Sequence, residues 1–330
     1  MRVIGVLAVI FWHIALSSWR SVPVKSPEGI TMSIYYGALG GWAVPVFVMI
    51  SGALFLSRDI PVRKIYGKYI FRIFTAFVFW SFFHAIADYA MKRDIYGAVV
   101  HFITGHAHMW FLYMIVGLYM IVPFMKRIAE SEFLTKYFLV IAFFFTFLFP
   151  EAVNIISLFS EDLSKLADGV INSFQIKFTA GYVGYFLLGY FLNNAQISRR
   201  AERIIYFLGI ISVIAGILLS VIDAMRANKE SAVFYEHLTA NNLLGSIAVF
   251  IFFKSKFNYP SRIIRALSQY SFGAYLVHYI VIGIVVRFCI SPSAFSPVFS
   301  VPVISVIVFV ISFGISAVLN HIPVLKKYIV

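Results

Sequence analysis

Ten stretches of this chain are apolar and long enough to cross a bilayer, and no hydrophilic stretch between them is long enough to fold by itself. The runs lie near 2–19, 36–57, 69–90, 108–125, 134–150, 176–192, 204–222, 238–253, 268–289 and 298–319. A backbone in hydrocarbon must satisfy its own hydrogen bonds, and for runs of this length the helix does so. The expected fold is all-α: a polytopic membrane protein of about ten transmembrane helices, one integral-membrane domain over 1–330. Composition agrees, because 61% of the residues are hydrophobic and 12% are charged, against about 25% charged in soluble domains. The first run does not read as a cleaved leader, since it holds a His, two Trp and no small-x-small cleavage site. The single cysteine, Cys289, leaves no intrachain disulfide and no thiol metal site.

A formal charge of +13 invites a nucleic-acid reading, but its distribution describes topology instead. Sorted by the loops between the ten runs, eighteen Lys and Arg fall on one side and nine on the other, with four and ten Asp and Glu. The positive-inside rule puts the first group, which includes Arg2, Arg72 and Lys326, in the cytoplasm and both termini with it. An even number of crossings is then required, and ten satisfies it. Membrane lipids are the expected surroundings, and no nucleic-acid partner is expected.

Within the first run, MRVIGVLAVIFWHIALSSW, one cation opens the segment and one imidazole sits in its middle. An uncompensated polar group in hydrocarbon is costly, so an intramembrane His is a functional candidate by default. The step from Arg2 to His13 is about three helical turns, within roughly 20° of full register, and rises about 16 Å. Both groups therefore lie on one face, one at a membrane surface and one near mid-depth. His278, about ten residues into the ninth run, reaches a similar depth. The two imidazoles either face a shared cavity or make two unrelated interhelical bonds, and depth alone does not decide.

Arg72 stands at the start of the third run, after the basic loop RDIPVRKIYGKYIFR, at the level of Arg2. Such a pair suits a phosphorylated ligand, because Arg binds phosphate bidentately, and suits lipid phosphates equally. The second run, GGWAVPVFVMISGALF, carries Gly40, Gly41 and Gly52 for close backbone approach, and Pro45, which removes a helix hydrogen bond and kinks the span. Ser51 lies in its cytoplasmic half; its hydroxyl either faces a ligand or bonds back to its own helix. Towards the outer side, HFITGHAHMWFLYM gathers His101, His106, His108, Trp110 and Tyr113. No metal is expected there, since His106 and His108 are poorly spaced for one helix and no carboxylate or thiol lies near. An outer lip of Trp, Tyr and His suits sugar stacking; an interfacial aromatic belt is the competing account.

Arg2 with His13, VPVFVMISG at 44–52, the basic stretch ending in Arg72, HMWFLYMIVGLY at 108–119 and SFGAYLVH at 271–278 together resemble the acyltransferase 3 family of integral membrane acyltransferases. The nearer resemblance is to its surface-polysaccharide O-acetyltransferase branch, and it covers essentially the whole chain. It implies transfer of acetyl from cytoplasmic acetyl-CoA, the acyl donor, to a hydroxyl of a surface or lipid-linked carbohydrate, in a bacterial inner membrane. It implies His13 as the catalytic group, acting as general base or by transient acylation. Arg2, Arg72, Lys68 and Ser51 would serve the donor, and His108, Trp110, Tyr113 and His278 the acceptor or its support. The chain departs from the family pattern in three places. It begins Met1-Arg2 where members usually have a polar segment; Tyr69, beside Lys68, stands where many carry a second arginine; and Ala53 replaces a frequent aromatic. An extracellular esterase-like domain fused in some relatives is missing too.

The alternative function is a secondary transporter or flippase for a glycan or lipid precursor. Against it stand the absence of an inverted repeat and the scarcity of acids inside spans, Asp88 being the best case. A non-catalytic membrane partner would have no need of a mid-depth histidine in register with a terminal arginine.

Overall fold

The computed structural model describes every residue except 20, 21, 177, 178, 180, 258–260 and 293, and the side chains of 91 and 92. Arg20 and Lys177, two of the outward basic residues counted above, lie outside the described residues. Helix α1 (Arg2–Trp19) is followed by α2 (Pro27–Gly40) and α3 (Ala43–Leu56), which together form one span. The single turn α4 (Val62–Lys64) runs through a π-helical stretch, Ile65–Ile70, into α5 (Phe71–Lys92). Next come α6 (Ile95–Thr104), α7 (Trp110–Met120) and α8 (Val122–Ala129). Helices α9 (Glu132–Ala142) and α10 (Phe149–Ser157) are joined through a second π-helical stretch, Phe143–Leu148, and precede α11 (Glu161–Ser173). The chain closes with α12 (Val183–Asn194), α13 (Arg199–Ala227), α14 (Ala240–Lys256), α15 (Arg262–Phe288), α16 (Pro297–His321) and α17 (Pro323–Tyr328). The protein is an all-α polytopic membrane protein.

Helix ends cannot be left bare near lipid, and the sequence caps them. The side chains of Ser26, Asp94, Ser131, Ser160, Ser198 and Ser261 each accept a backbone N–H from the first turn of α2, α6, α9, α11, α13 and α15. Caps of this kind are worth about 1 kcal/mol each. Pro27 and Pro297 take positions that need no N–H donor.

Among the described residues, nine helical segments are long and apolar enough to cross a membrane. Nine of the ten runs read from sequence correspond to them, and the tenth, 176–192, corresponds to the 12-residue α12. Its short length has a physical reason. The chain is broken at Gly181, whose φ is +75, and α12 is an inner helix with Tyr185, Phe186 and Leu187 fully buried. A segment sheathed by protein need not match the thickness of the hydrocarbon. It crosses α3 at touching backbones: a Cβ on Gly52 would sit 1.8 Å from the Phe186 carbonyl oxygen, and one on Gly189 would sit 2.0 Å from that of Met49. Arg72 bonds Val330, and Arg2 and Lys326 line one cavity with it, so the chain starts and finishes at the same end of the bundle.

Two stretches depart from the reading above. Residues 151–175, read as a loop, hold most of α10 and all of α11. Leu163, Leu166 and Val170 form an exposed apolar stripe on α11, as on a helix lying in a membrane interface. The run at 108–125 is not one helix: it opens on a 3-10 turn, Ala107–Met109, and a turn at Ile121 divides α7 from α8, while just ahead of it α6 stops at Thr104 and Gly105 takes φ +76. A side chain at Gly105 would meet Phe77 at 2.6 Å as well as a strained backbone.

Candidate active site

Helix α1 is central, packed on α2, α3, α15 and α16. Beside it lies a cavity of about 500 Å³ that runs from Arg2, Arg72, Asn320 and Lys326 at one end to Trp12, His108, Trp110 and His237 at the other. His13 stands in its wall between the two, on the same face of α1 as Arg2, as the register predicts.

The cation end is partly built by the chain itself. The Arg72 guanidinium donates to the Val330 carbonyl and lies 5.8 Å from the Phe272 ring centroid. Thr75 Oγ1 donates to the Tyr328 carbonyl at 2.6 Å, and Trp80 Nε1 donates to that of Ile329 at 3.4 Å. Three successive carbonyls, from Tyr328 at the end of α17 to Val330, are thus held by α5, with Val330 fully buried. Ser51 Oγ donates back to the Phe47 carbonyl at 2.9 Å and also meets Tyr119, while still lining the cavity. Lys68 is exposed, 5.9 Å from the Tyr69 ring, and does not reach the cavity lining.

At mid-length the imidazoles gather. The His13 ring lies 5.3 Å from that of His278 and 5.1 Å from that of Tyr279, so the two histidines of equal depth do meet. His278 is fully buried and donates from Nδ1 to the Tyr275 carbonyl, leaving Nε2 as a lone-pair acceptor. His108 is 3% exposed, its ring 5.2 Å from that of His278, and its carbonyl accepts the Tyr275 hydroxyl. It was expected at an outer lip. The turn at Gly105 instead folds residues 106–109 back into the bundle, so helical spacing does not apply to His106 and His108. Their Nδ1 atoms approach to 3.3 Å. Among the described residues, no group of three or more His, Cys, Asp or Glu has metal-binding geometry.

The far end is aromatic. Trp110 lies 5.6 Å from Tyr182 and 6.0 Å from His237, with the latter planes at 22°, and Trp12 lies 6.2 Å from His237. His237 is held by a bond from its Nδ1 to the Gly41 carbonyl at 3.2 Å. Pro45, which lacks an N–H, cannot claim that carbonyl four residues back, so the expected kink is realised as a turn at Gly41–Trp42 whose free oxygen anchors His237. Tyr113 faces away: it is 53% exposed, its hydroxyl donates to the Ile103 carbonyl at 3.1 Å, and it does not line the cavity.

Sequence reasoning missed Trp12, His84, His237, Tyr279 and Lys326. His84 bonds the Leu276 carbonyl and lies 4.9 Å from the rings of His106 and His108. Trp12 and Tyr279 had a local signal, their places beside His13 and His278; the others come from distant segments.

No curated protein and no solved structure matches the chain. A family model described as an acyltransferase domain matches residues 1–321. A cavity that joins a cation-lined end to a buried imidazole thus lies in a chain that belongs to the acyltransferase 3 family and is a multi-pass membrane acyltransferase.

Proposed function

We propose that the protein moves an acetyl group from acetyl-CoA to a hydroxyl of a surface or lipid-linked carbohydrate, in a bacterial inner membrane with both termini cytoplasmic. One observation carries the reading: His13 stands where the cation-lined and aromatic-lined parts of one cavity meet. Phosphates of the donor suit Arg2, Arg72 and Lys326, and the thioester then reaches inward to His13. A sugar ring suits the faces of Trp12, Trp110 and His237, which offer apolar planes with polar edges.

In the direct form of the reaction, the acceptor oxygen attacks the thioester carbon while His13 takes the hydroxyl proton. The tetrahedral intermediate collapses, the C–S bond breaks, and the thiolate recovers that proton from His13. In the two-step form, His13 attacks first and carries the acetyl group before the acceptor takes it. His278 supports His13 in either form by fixing its neighbour's orientation.

Mass spectrometry of surface glycans from cells with and without the protein tests the reading. A difference of one acetyl group on a carbohydrate is expected. Identical glycan masses, with acetyl appearing on a lipid or peptide instead, would remove the carbohydrate assignment.

A further inference from the structure

The imidazoles do not stop at His13. Tyr279, 5.1 Å from His13, lies 4.3 Å from His106 and 5.2 Å from His108, stacked on the latter with planes parallel to within 3°. A second branch passes from His13 through His278 to His108, with steps of 5.3 and 5.2 Å between ring centroids, and then to His106 through the Nδ1 contact of 3.3 Å. From His106 the next ring is His101, 5.8 Å away, whose Nδ1 meets Asp88 Oδ2 at 2.6 Å. The His101 side chain is 36% exposed. The series therefore begins at the middle of the bundle and ends at a part-exposed ring paired with a carboxylate, away from the cations.

Packing alone would be served better by Phe, which carries no polar atom to desolvate. Among the described residues, the Nε2 atoms of His84, His108 and His278 are buried without a hydrogen-bond partner. An unmet buried acceptor costs about 1–3 kcal/mol, and three in one cluster mark a place built to exchange hydrogen bonds with hydroxyls or water.

We infer that these groups form a proton relay joining His13 to the outer aqueous face. The Tyr279 phenol accepts and donates on one oxygen, and His278, whose Nδ1–H is held by the Tyr275 carbonyl, takes up and releases a proton at Nε2, so no group is consumed. The acetyl transfer proposed above needs no net proton, because the thiolate recovers what the hydroxyl gave. The relay instead resets the resting protonation of His13 between turnovers. Its purpose rests on the reading of His13 as the base, but its measurement does not. His106 is the node where both branches join. It is faced by His84 from α5, His101 from α6, His108 from its own turn and Tyr279 from α15, with Asp88 of α5 held by His101. His13 is faced by His278 and Tyr279 from α15, with His106 and His108 of the turn before α7 near enough to act on it, and with Arg2 and Arg72 further along the cavity.

Trp12, with its ring 4.7 Å from His13, supplies the probe, since a protonated imidazole quenches a neighbouring indole. The full chain is reconstituted into phosphatidylcholine/phosphatidylglycerol vesicles in one orientation. Emission after a rapid pH jump on one face is then recorded, with His13→Gln as the subtraction. A jump on the outer face should produce a His13-dependent change, slowed at least tenfold in His106→Phe and in the Asp88→Asn, His101→Gln pair. The response to a jump on the cytoplasmic face should be unchanged in all of them. His106→Gln preserves polarity but cannot pass a proton, and serves should the Phe variant not fold. An outer response as fast in these variants as in the wild type would overturn the relay, and so would its absence in the wild type. Turnover by His13→Gln, measured separately, reports on the acetyl-transfer reading instead.

Discussion

The two ends of the cavity are finished differently. At the cation end, Arg72 already has a partner in the Val330 carbonyl, and the chain from Tyr328 onward is pinned by Thr75 and Trp80. Around His13, buried nitrogens on His84, His108 and His278 are unmatched among the described residues, and so is Trp12 Nε1. Folded proteins rarely leave buried donors and acceptors unmatched without a use for them. The first end is a scaffold that also offers charge; the second is where hydrogen-bonding capacity has been kept for something that arrives. Function should therefore be most sensitive in the middle, less so at the cations, and least at residues outside the cavity.

The largest effect belongs to His13. As a structural residue it would need only to share one hydrogen bond, which Gln can imitate. As a base or nucleophile it must hold a proton or an acetyl group, which an amide cannot. His13→Gln should insert, fold and bind acetyl-CoA, yet lose about two to four orders of magnitude in rate. Acetyl transfer by purified protein at matched folded amounts measures this, and near-normal turnover would transfer suspicion to His278.

Arg72 comes second, with a complication from its tie to Val330. Arg72→Ala removes a charge from the cavity and loosens the tail at once. Thr75→Ala loosens the same tail and leaves the charge. A charge-assisted hydrogen bond is worth about 1.5–3 kcal/mol, so Arg72→Ala should weaken acetyl-CoA binding about tenfold to a hundredfold. Thr75→Ala should change it less than about threefold. Equal losses in a calorimetric titration would make Arg72 a fastener for the tail and not a donor contact.

At the aromatic end the expected cost is smaller. Ring stacking contributes about 0.5–1.5 kcal/mol beyond burial, so Trp110→Ala should raise the acceptor KM about two- to tenfold while kcat and donor affinity hold. A fall in kcat with KM unchanged would place Trp110 among the groups that orient His108 instead.

Which of these residues the sequence disclosed follows from how each is placed. Arg2 and His13 share one helix, so a three-turn spacing was enough to align them. The equal depth of His13 and His278 could be counted from two span starts, although only packing shows that the rings meet. Spans were legible because hydrocarbon demands length and apolarity together, and α12 escaped that rule by being wrapped in protein. His108 was misplaced because the turn after Gly105 leads residues 106–109 back into the bundle, and the apolar pattern of the run that starts at 108 carries no mark of it. His84, His237 and Tyr279 converge from segments more than a hundred residues apart in places, and no local pattern records such a meeting.

The smallest effect is the sharpest check on the difference between the two kinds of reading. Lys68 lies in a basic stretch and Tyr113 in an aromatic one, so composition alone assigns the first to the donor and the second to the acceptor. Neither lines the cavity: Lys68 leans over Tyr69 in the open, and Tyr113 caps the end of α6 with its hydroxyl on Ile103. An exposed ammonium near a charged ligand is screened over about 8–10 Å at ordinary ionic strength, so its removal costs little binding. Tyr113→Phe deletes one exposed hydrogen bond, a local loss that thermal unfolding in detergent should barely register. Both Lys68→Ala and Tyr113→Phe should therefore keep donor KM, acceptor KM and kcat within about twofold of the wild type. A tenfold rise in donor KM for Lys68→Ala that vanishes at high salt would mean that the phosphates reach beyond the cavity mouth, along the π-helical stretch that carries Lys68. The basic loop would then belong to the donor site after all, and the boundary between scaffold and site would move outward by a full helical turn.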